Sequence, residues 1–493
     1  MSQISNRWRL HSSFIHTTLK IRGENCMRFK FVVCALILLF VTTVNVFADP
    51  VDDFVKAEMQ RQRIPGLAIA VVNNGKVVKT QGYGLANIEL NVPVTPETVF
   101  KIGSVSKQFI ATGIMLLVAD GKISLDDKIS KYPDGTPETW KDINIRHLLT
   151  HTSGIVREAP GFDPDKIQND ADVIKTAYSE SLRFAPGEKW EYCNVGYFTL
   201  AEIIRKVSGK SWGDYLKERV FSPLGMNATR ATTVTEIIPN RADSYTLQND
   251  KLLNAENWRT VRPSGAFLSN ALDLAKWEAA LNENKILSQS IRNQMWTPVT
   301  LNDGKKYQYG FGWELNNFRG ISTIEHGGTL TGFRANYLRL PEQGLTVIAL
   351  TNFAGANVSA LANGIAVEYV PQLKLSSLQP QPAPDAKMTK AFKTILENIA
   401  SGVADLPQVT PELNAAFKNL PQANRNTISD RLKKEKSFDF LMRKDVKDKN
   451  IQRQGTDVAS LWFYRLVTEA QTYYYTFYLT ADGKTAHLEG GLR

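Results

Sequence analysis

Ser104 and Lys107 stand three residues apart in KIGSVSKQFIATGIMLLVADGK, residues 101–122, at the mouth of an apolar run. A serine hydroxyl is a poor nucleophile until a base lies within hydrogen-bond reach. An amine three residues on becomes that base if burial and the positive end of a helix lower its pKa. Taken alone, the pair also reads as a capping serine and a solvated lysine. Two further clusters follow in the chain. Tyr192-Cys193-Asn194 is the only Y-x-N, and His326-Gly327-Gly328 places an imidazole beside two residues without side chains.

These groups need elements to position them. IATGIMLLVAD has the apolar spacing of a helix, and Gly121 is placed to end it. Ser104 and Lys107 then share one face of its first turn, whereas Ser106 lies on another face and takes a capping role. The segment VDDFVKAEMQRQRI is amphipathic, and in LAIAVVNNGKVVKTQGYG two apolar runs flank Asn74-Gly75, a strong hairpin signal. A second antiparallel set lies far downstream, in STIEHGG and ANYLRLPEQGLTVIALTN, with Glu342-Gln343-Gly344 as its turn. VIKTAYSESL, TLAEIIRKVSG and GDYLKERVF between them read as helices. Strands at both ends with helices between predict an α+β domain whose terminal segments share one antiparallel sheet.

At 493 residues, 43% of them hydrophobic, the chain has room for one large domain and at least one smaller one. From Met27, MRFKFVVCALILLFVTTVNVFADP has the layout of a secretory signal: a charged start, an apolar run and the cleavage site Val46-Phe47-Ala48. Its apolar run of about 16 residues falls short of the roughly 20 that span a bilayer. The expectation is a leader over residues 1–48, with the signal peptide at 27–48, and a periplasmic or secreted protein without a stable membrane span. Residues 1–26 read as a mis-assigned start upstream of Met27 or as a long charged leader. Loss of residues 1–48 lowers the net charge from +10 to +5 and leaves Cys193 as the only cysteine, so no internal disulfide is expected. No Lys/Arg cluster is interleaved with aromatics, which argues against a nucleic-acid partner. PQLKLSSLQPQPAPDA, residues 371–386, reads as a linker. Beyond it come helical patterns, a charged stretch expected as a solvated face, and strand-like SLWFYRLV and TYYYTFYLTADGKTAHL, whose aromatics are expected to pack a sheet.

S-x-x-K, then Y-x-N, then a Lys or His followed by x-Gly resembles the serine β-lactamase and penicillin-binding superfamily, in particular its class C β-lactamase, D-alanyl-D-alanine carboxypeptidase and esterase branch. GYGLAN at 82, HLLTHTSGI at 147, SPLGMNAT at 222, PSGAFLS at 263, YGFGW at 309 and ALTNF at 349 are similar to it as well. The resemblance implies a β-lactamase/transpeptidase-like α+β fold over residues 49–370: an antiparallel sheet flanked by helices, plus a helical subdomain. A second small α+β domain, 387–493, is additional to it. It further implies an acyl-enzyme mechanism. Ser104 attacks a carbonyl, and Lys107 and Tyr192 share the general-base work and return the proton to the leaving group. The N–H groups of Ser104 and Thr329, beside Gly328, form the oxyanion hole. Asn194 bonds the substrate amide and Lys107, and His326 lines the cleft near a substrate carboxylate. No metal or cofactor is implied.

Other candidates read differently. Gly209-Lys210-Ser211-Trp212-Gly213 spells the nucleophile elbow, but a helical pattern precedes it where the elbow needs a strand, so Ser211 reads as a cap completed by Asp214. His147 and His151 have a zinc-like spacing but no third ligand, and read as hydrogen-bonded structural histidines. Cys193 reads as a buried small hydrophobe. His326 stands where antibiotic-clearing class C enzymes carry the lysine of Lys-Thr-Gly, and a neutral imidazole attracts a β-lactam carboxylate less than an ammonium does. The expected function is a secreted serine hydrolase acting on an amide or ester, such as a D-amino-acid peptide or a small ester. The alternatives are a class C-like β-lactamase and a penicillin-binding sensor that is acylated without turnover. Its partners would be small molecules or peptides, among them peptidoglycan peptides and β-lactams.

Overall fold

The computed structural model describes residues 49–491, apart from 233–234, 256–261, 266, 404, 447–450 and 454. The expected leader and its two cysteines lie outside the described residues.

Helix α1 (Pro50–Gln62) leads into β1 (Gly66–Asn73) and β2 (Lys76–Asn87). Asn74 and Gly75 join the strands at φ of 49° and 73°. These left-handed values suit a two-residue hairpin and are tolerated by Asn and Gly. Downstream lie β3 (Glu314–Phe318), β4 (Ile321–Leu330), β5 (Phe333–Leu340) and β6 (Leu345–Thr351). The sheet runs β3-β4-β5-β6-β1-β2 and ends on the short strand Val92–Pro93. β1 pairs antiparallel with β6, Leu67 opposite Thr351 and Asn73 opposite Leu345. The two ends of this region therefore meet mid-sheet, as the sequence pattern predicts.

β1 is apolar throughout because helices cover both sheet faces. Leu67, Ile69 and Val71 pack with Phe54 of α1 and Ile365 of α5 (Val358–Tyr369). Ala68, Ala70 and Val72 face the layer containing α2 (Lys107–Ala119), α3 (Asn194–Ser208) and α4 (Ala271–Asn282). α2 is enclosed nearly all round. Its Phe109 meets Phe221 and Trp277 at ring distances of 5.2 Å, and burial of such a ring contributes about 1.5–3 kcal/mol. Two expected helices come out shorter. The one in VIKTAYSESL stops at Thr176, and Tyr178 turns to pack edge-on against Trp140. GDYLKERVF is α-helical only over Trp212–Leu216 before a π-type turn, Lys217–Phe221.

The C-terminal region places α6 (Ala386–Ser401), α7 (Pro411–Lys418) and α8 (Gln422–Lys433) with an antiparallel sheet of β7 (Glu435–Asp445), β8 (Ser460–Thr468), β9 (Thr472–Leu479) and β10 (Thr485–Gly491). Part of the charged stretch thus forms β7, paired to β8, with Phe440 and Leu441 buried. Trp462 and Tyr464 pack around Phe392, which stacks on Phe477 at 4.2 Å. Residues 371–377 carry two single 3₁₀ turns, whose Leu373 and Leu375 are buried. The C-terminal region grips the β3–β4 turn. Arg319 N–H donates to Tyr478 at 3.2 Å, Lys444 Nζ to the Gly320 carbonyl at 3.0 Å, and Arg453 to the Asn317 carbonyl. That hairpin carries His326-Gly327-Gly328.

Candidate active site

Ser104 lies in a 3₁₀ turn, Gly103–Ser106, that runs directly into α2 at Lys107. The turn is pressed against β4 backbone to backbone. Gly103 has φ +53°, and a Cβ there would lie 2.6 Å from the Thr329 nitrogen. A Cβ on Gly328 would lie 2.0 Å from the Ile102 carbonyl oxygen. Glycine at both places lets the turn and the strand close on each other. Ser106 differs from expectation: it forms no cap, since the 3₁₀ turn continues the helix past it. Its Oγ donates to the Gly103 carbonyl at 2.6 Å and accepts the Phe267 N–H at 3.2 Å, fastening the turn to the strand Phe267–Ser269.

Lys107 is fully buried. Its Nζ donates to the Ser264 carbonyl at 2.6 Å and to Asn194 Oδ1 at 2.9 Å, and lies 3.3 Å from Ser104 Oγ. It also lies 4.6 Å from the centre of the Tyr192 ring. Burial, reinforced by the Arg262 guanidinium, holds the ammonium well below the usual lysine range. Burial pushes the Tyr192 phenol the other way, up, while contact with Ser104 offsets part of that shift. The arrangement therefore favours the unprotonated amine at a hydroxyl's side, with a neutral phenol next to both.

Tyr192 precedes Cys193, the N-cap of α3, and Asn194 is that helix's first residue. Cys193 Sγ accepts the Gly196 N–H at 3.2 Å, and burial pushes its thiol up to about 12. It is inert at ordinary pH. Asn194 Nδ2 donates to Glu158, which accepts from Arg262 at 3.0 Å.

His326 is 1% exposed, and both its nitrogens are engaged. A directed chain accounts for them: Cys193 N–H donates to His151 Nδ1 at 3.1 Å, and His151 Nε2 to the Tyr309 oxygen at 3.2 Å. Tyr309 O–H then donates to His326 Nε2 at 2.9 Å, and His326 Nδ1 to the Gly327 carbonyl at 2.7 Å. Only these tautomers give each contact one proton. Burial holds His326 down at about 3, so the ring stays neutral and ties the Y-x-N loop to β4 rather than presenting a charge.

Ser104, Lys107, Tyr192 and Asn194 thus come together, Gly328 and Thr329 face the Gly103–Ser106 turn, and His326 reaches the group through Tyr309. His147 stays apart, its Nδ1 accepting the Asn144 N–H in a capping box. Ser211 accepts the Asp214 N–H at 3.1 Å and caps its helix. Sequence reasoning gave no role to Glu158, Arg262, Ser264 or Tyr309. Ser264 and Tyr309 lie inside quoted segments of the resemblance, PSGAFLS and YGFGW, whereas Glu158 and Arg262 carry no motif of their own.

The Beta-lactamase family model matches residues 51–370. "Penicillin-binding protein 4*" of Bacillus subtilis is 30% identical over 315 residues, 59% of this chain and 69% of that protein. "Protein flp" of Staphylococcus aureus is 28% identical over 346 residues, 66% of this chain and 68% of that protein. Among solved structures, an octameric penicillin-binding protein homologue from Pyrococcus abyssi superposes with a TM-score of 0.59 at 24% identity, covering 89% of this chain and 95% of that one. D-amino acid amidase from Ochrobactrum anthropi, complexed with L-phenylalanine amide, superposes with a TM-score of 0.57 at 25% identity over 66% and 99%.

Proposed function

The chain belongs to the Beta-lactamase family, and we propose that within it the protein is a serine hydrolase that forms an acyl-enzyme on Ser104 with an amide or ester substrate. The observation that carries this reading is the buried Lys107 amine, 3.3 Å from Ser104 Oγ, with its pKa lowered by burial well below the usual lysine range. In the proposed cycle Lys107 takes the hydroxyl proton as Ser104 attacks, and Tyr192 passes it to the leaving group. The Ser104 and Thr329 N–H groups receive the developing oxyanion, and Asn194 orients the substrate amide. A D-amino-acid peptide, amide or small ester fits this chemistry, and the solved D-amino acid amidase supports that substrate class. The leader-like sequence at 27–48 supports export to the periplasm or the medium. The proposed domain division is a hydrolase over 49–370 and a small α+β domain over 387–493, joined by 371–386.

Intact mass spectrometry after p-nitrophenyl acetate and, separately, a fluorescent penicillin tests the reading. A covalent adduct that disappears in Ser104→Ala, with turnover reduced at least about 10³-fold, is the expected result. An adduct that decays only from the ester marks a hydrolase of esters or amides. Rapid decay from the penicillin marks a β-lactamase, and an adduct that persists from both marks an acylated sensor. Identical spectra from wild type and Ser104→Ala would remove the reading.

A further inference from the structure

Glu314 opens β3 opposite Glu325 of β4. The carboxylates share one donor: Asn316 Nδ2 lies 3.3 Å from an oxygen of each. Thr323 Oγ1 adds a bond of 3.2 Å to Glu325. Among the described residues neither carboxylate has an ion-pair partner, and Arg453, on the same cavity wall, is paired with Glu489 at 3.0 Å. Two acids lie side by side here.

They border a cavity of about 380 Å³, whose wall also includes Gly327, Trp190, Tyr307 and Asn336. Trp190 and Tyr307 stack on each other at 4.3 Å with an interplanar angle of 13°. Asn336 is 2% exposed, and among the described residues its Oδ1 has no hydrogen-bond partner. Glu489 Oε2, on the same wall, is a second acceptor without one, and Arg453 Nε is a donor left over. The charge of Glu314 is felt at Tyr192, whose phenol it raises, so Glu314 lies within electrostatic reach of that residue.

We propose that this cavity is a cation subsite, in which Glu314 and Glu325 hold an ammonium group of the substrate on a wall that Trp190 and Tyr307 share. The inference rests on the hydrolase reading and narrows it to substrates that carry an amine. Burial, reinforced by Glu325, pushes Glu314 up to about 7, and burial also raises Glu325. Two buried acids this close disfavour each other's ionisation, and an ammonium between them supplies the opposite charge that favours both carboxylates. A substrate carboxylate placed here would meet two acids, with a neutral His326 nearby. The charge thus selects amino-bearing amides or esters over peptides that end in a free carboxylate.

Calorimetric titration of the protein with 2-phenylethylammonium, 2-phenylethanol and 3-phenylpropanoate tests the subsite without needing turnover. The ammonium is expected to bind at least tenfold more tightly than the alcohol, with the carboxylate weakest, and Glu314→Gln with Glu325→Gln is expected to erase the preference. Equal binding of ammonium and alcohol, no binding of either, or a preference that survives in the double variant overturns the proposal. The wild-type comparison decides by itself if the variant fails to fold. Failure of the hydrolase reading would show separately, as absence of the Ser104 adduct.

Discussion

At the scale of the residue, Lys107 links burial to chemistry. A solvated lysine is protonated up to about pH 10.4 and is no base at neutral pH. Here desolvation comes first and Arg262 second, and both favour the neutral amine. The sign follows directly: the base is present above the lowered pKa and is lost as pH falls through it. The kcat/KM profile on p-nitrophenyl acetate is therefore expected to show an acid limb well below the usual lysine value and none near 6.5 from His326, which stays neutral down to about 3. Glu314 titrates near 7, so the profile is also read in Glu314→Gln, where the Lys107 limb persists. Activity rising only near pH 10 would contradict this account of Lys107.

At the scale of the element, the site depends on how closely the Gly103–Ser106 turn lies against β4. Any Cβ on Gly328 would meet the Ile102 carbonyl oxygen at 2.0 Å, and backbone cannot yield as a flexible side chain does. Gly328→Ala should push β4 off the turn and displace the Thr329 N–H. Loss of one oxyanion donor costs about 10²–10³ in kcat, so acylation should fall by roughly that factor while circular dichroism shows a folded protein. Near-wild-type acylation would mean that Thr329 N–H is not a donor to the oxyanion. Helix α4 supports the same sheet from behind: Glu278 receives Arg339 at 2.9 and 3.1 Å and Tyr337 at 2.8 Å. This buried, multiply bonded pair fixes the helix against β5.

At the scale of the whole molecule, the C-terminal region holds the β3–β4 hairpin at its turn, where Arg319 and Gly320 have φ of 51° and 77°. Arg453 bonds the Asn317 carbonyl and Glu489, and its side chain is 8% exposed. Arg453→Met leaves both acceptors short of a donor, at a cost of about 1–3 kcal/mol for an unsatisfied buried group. The variant should melt a few degrees lower, and its KM should change because Arg453, His487 and Glu489 line the cavity next to Gly327. A variant with wild-type Tm and KM would show that the region adheres to the hydrolase without shaping it.

By itself the sequence carried the candidates for the reacting groups, the order of the three motifs, the Asn74-Gly75 hairpin and the α+β pattern whose ends share a sheet. Those features are local: they follow from side-chain chemistry, turn preference and apolar period within short segments. Tertiary structure alone decided the rest. The lowered pKa of Lys107 needs desolvation among Asn194, Ser264 and Tyr192, which come from separate parts of the chain. The enclosure of His326 needs Tyr309 and His151 in one hydrogen-bonded line, and Ser106 became a strand anchor only because Phe267 lies beside it. Glu314 and Glu325 are neighbours through strand register, and VIKTAYSESL stops early where Tyr178 finds Trp140. Register, burial and long-range packing are relations between distant segments, and no short window of sequence contains them.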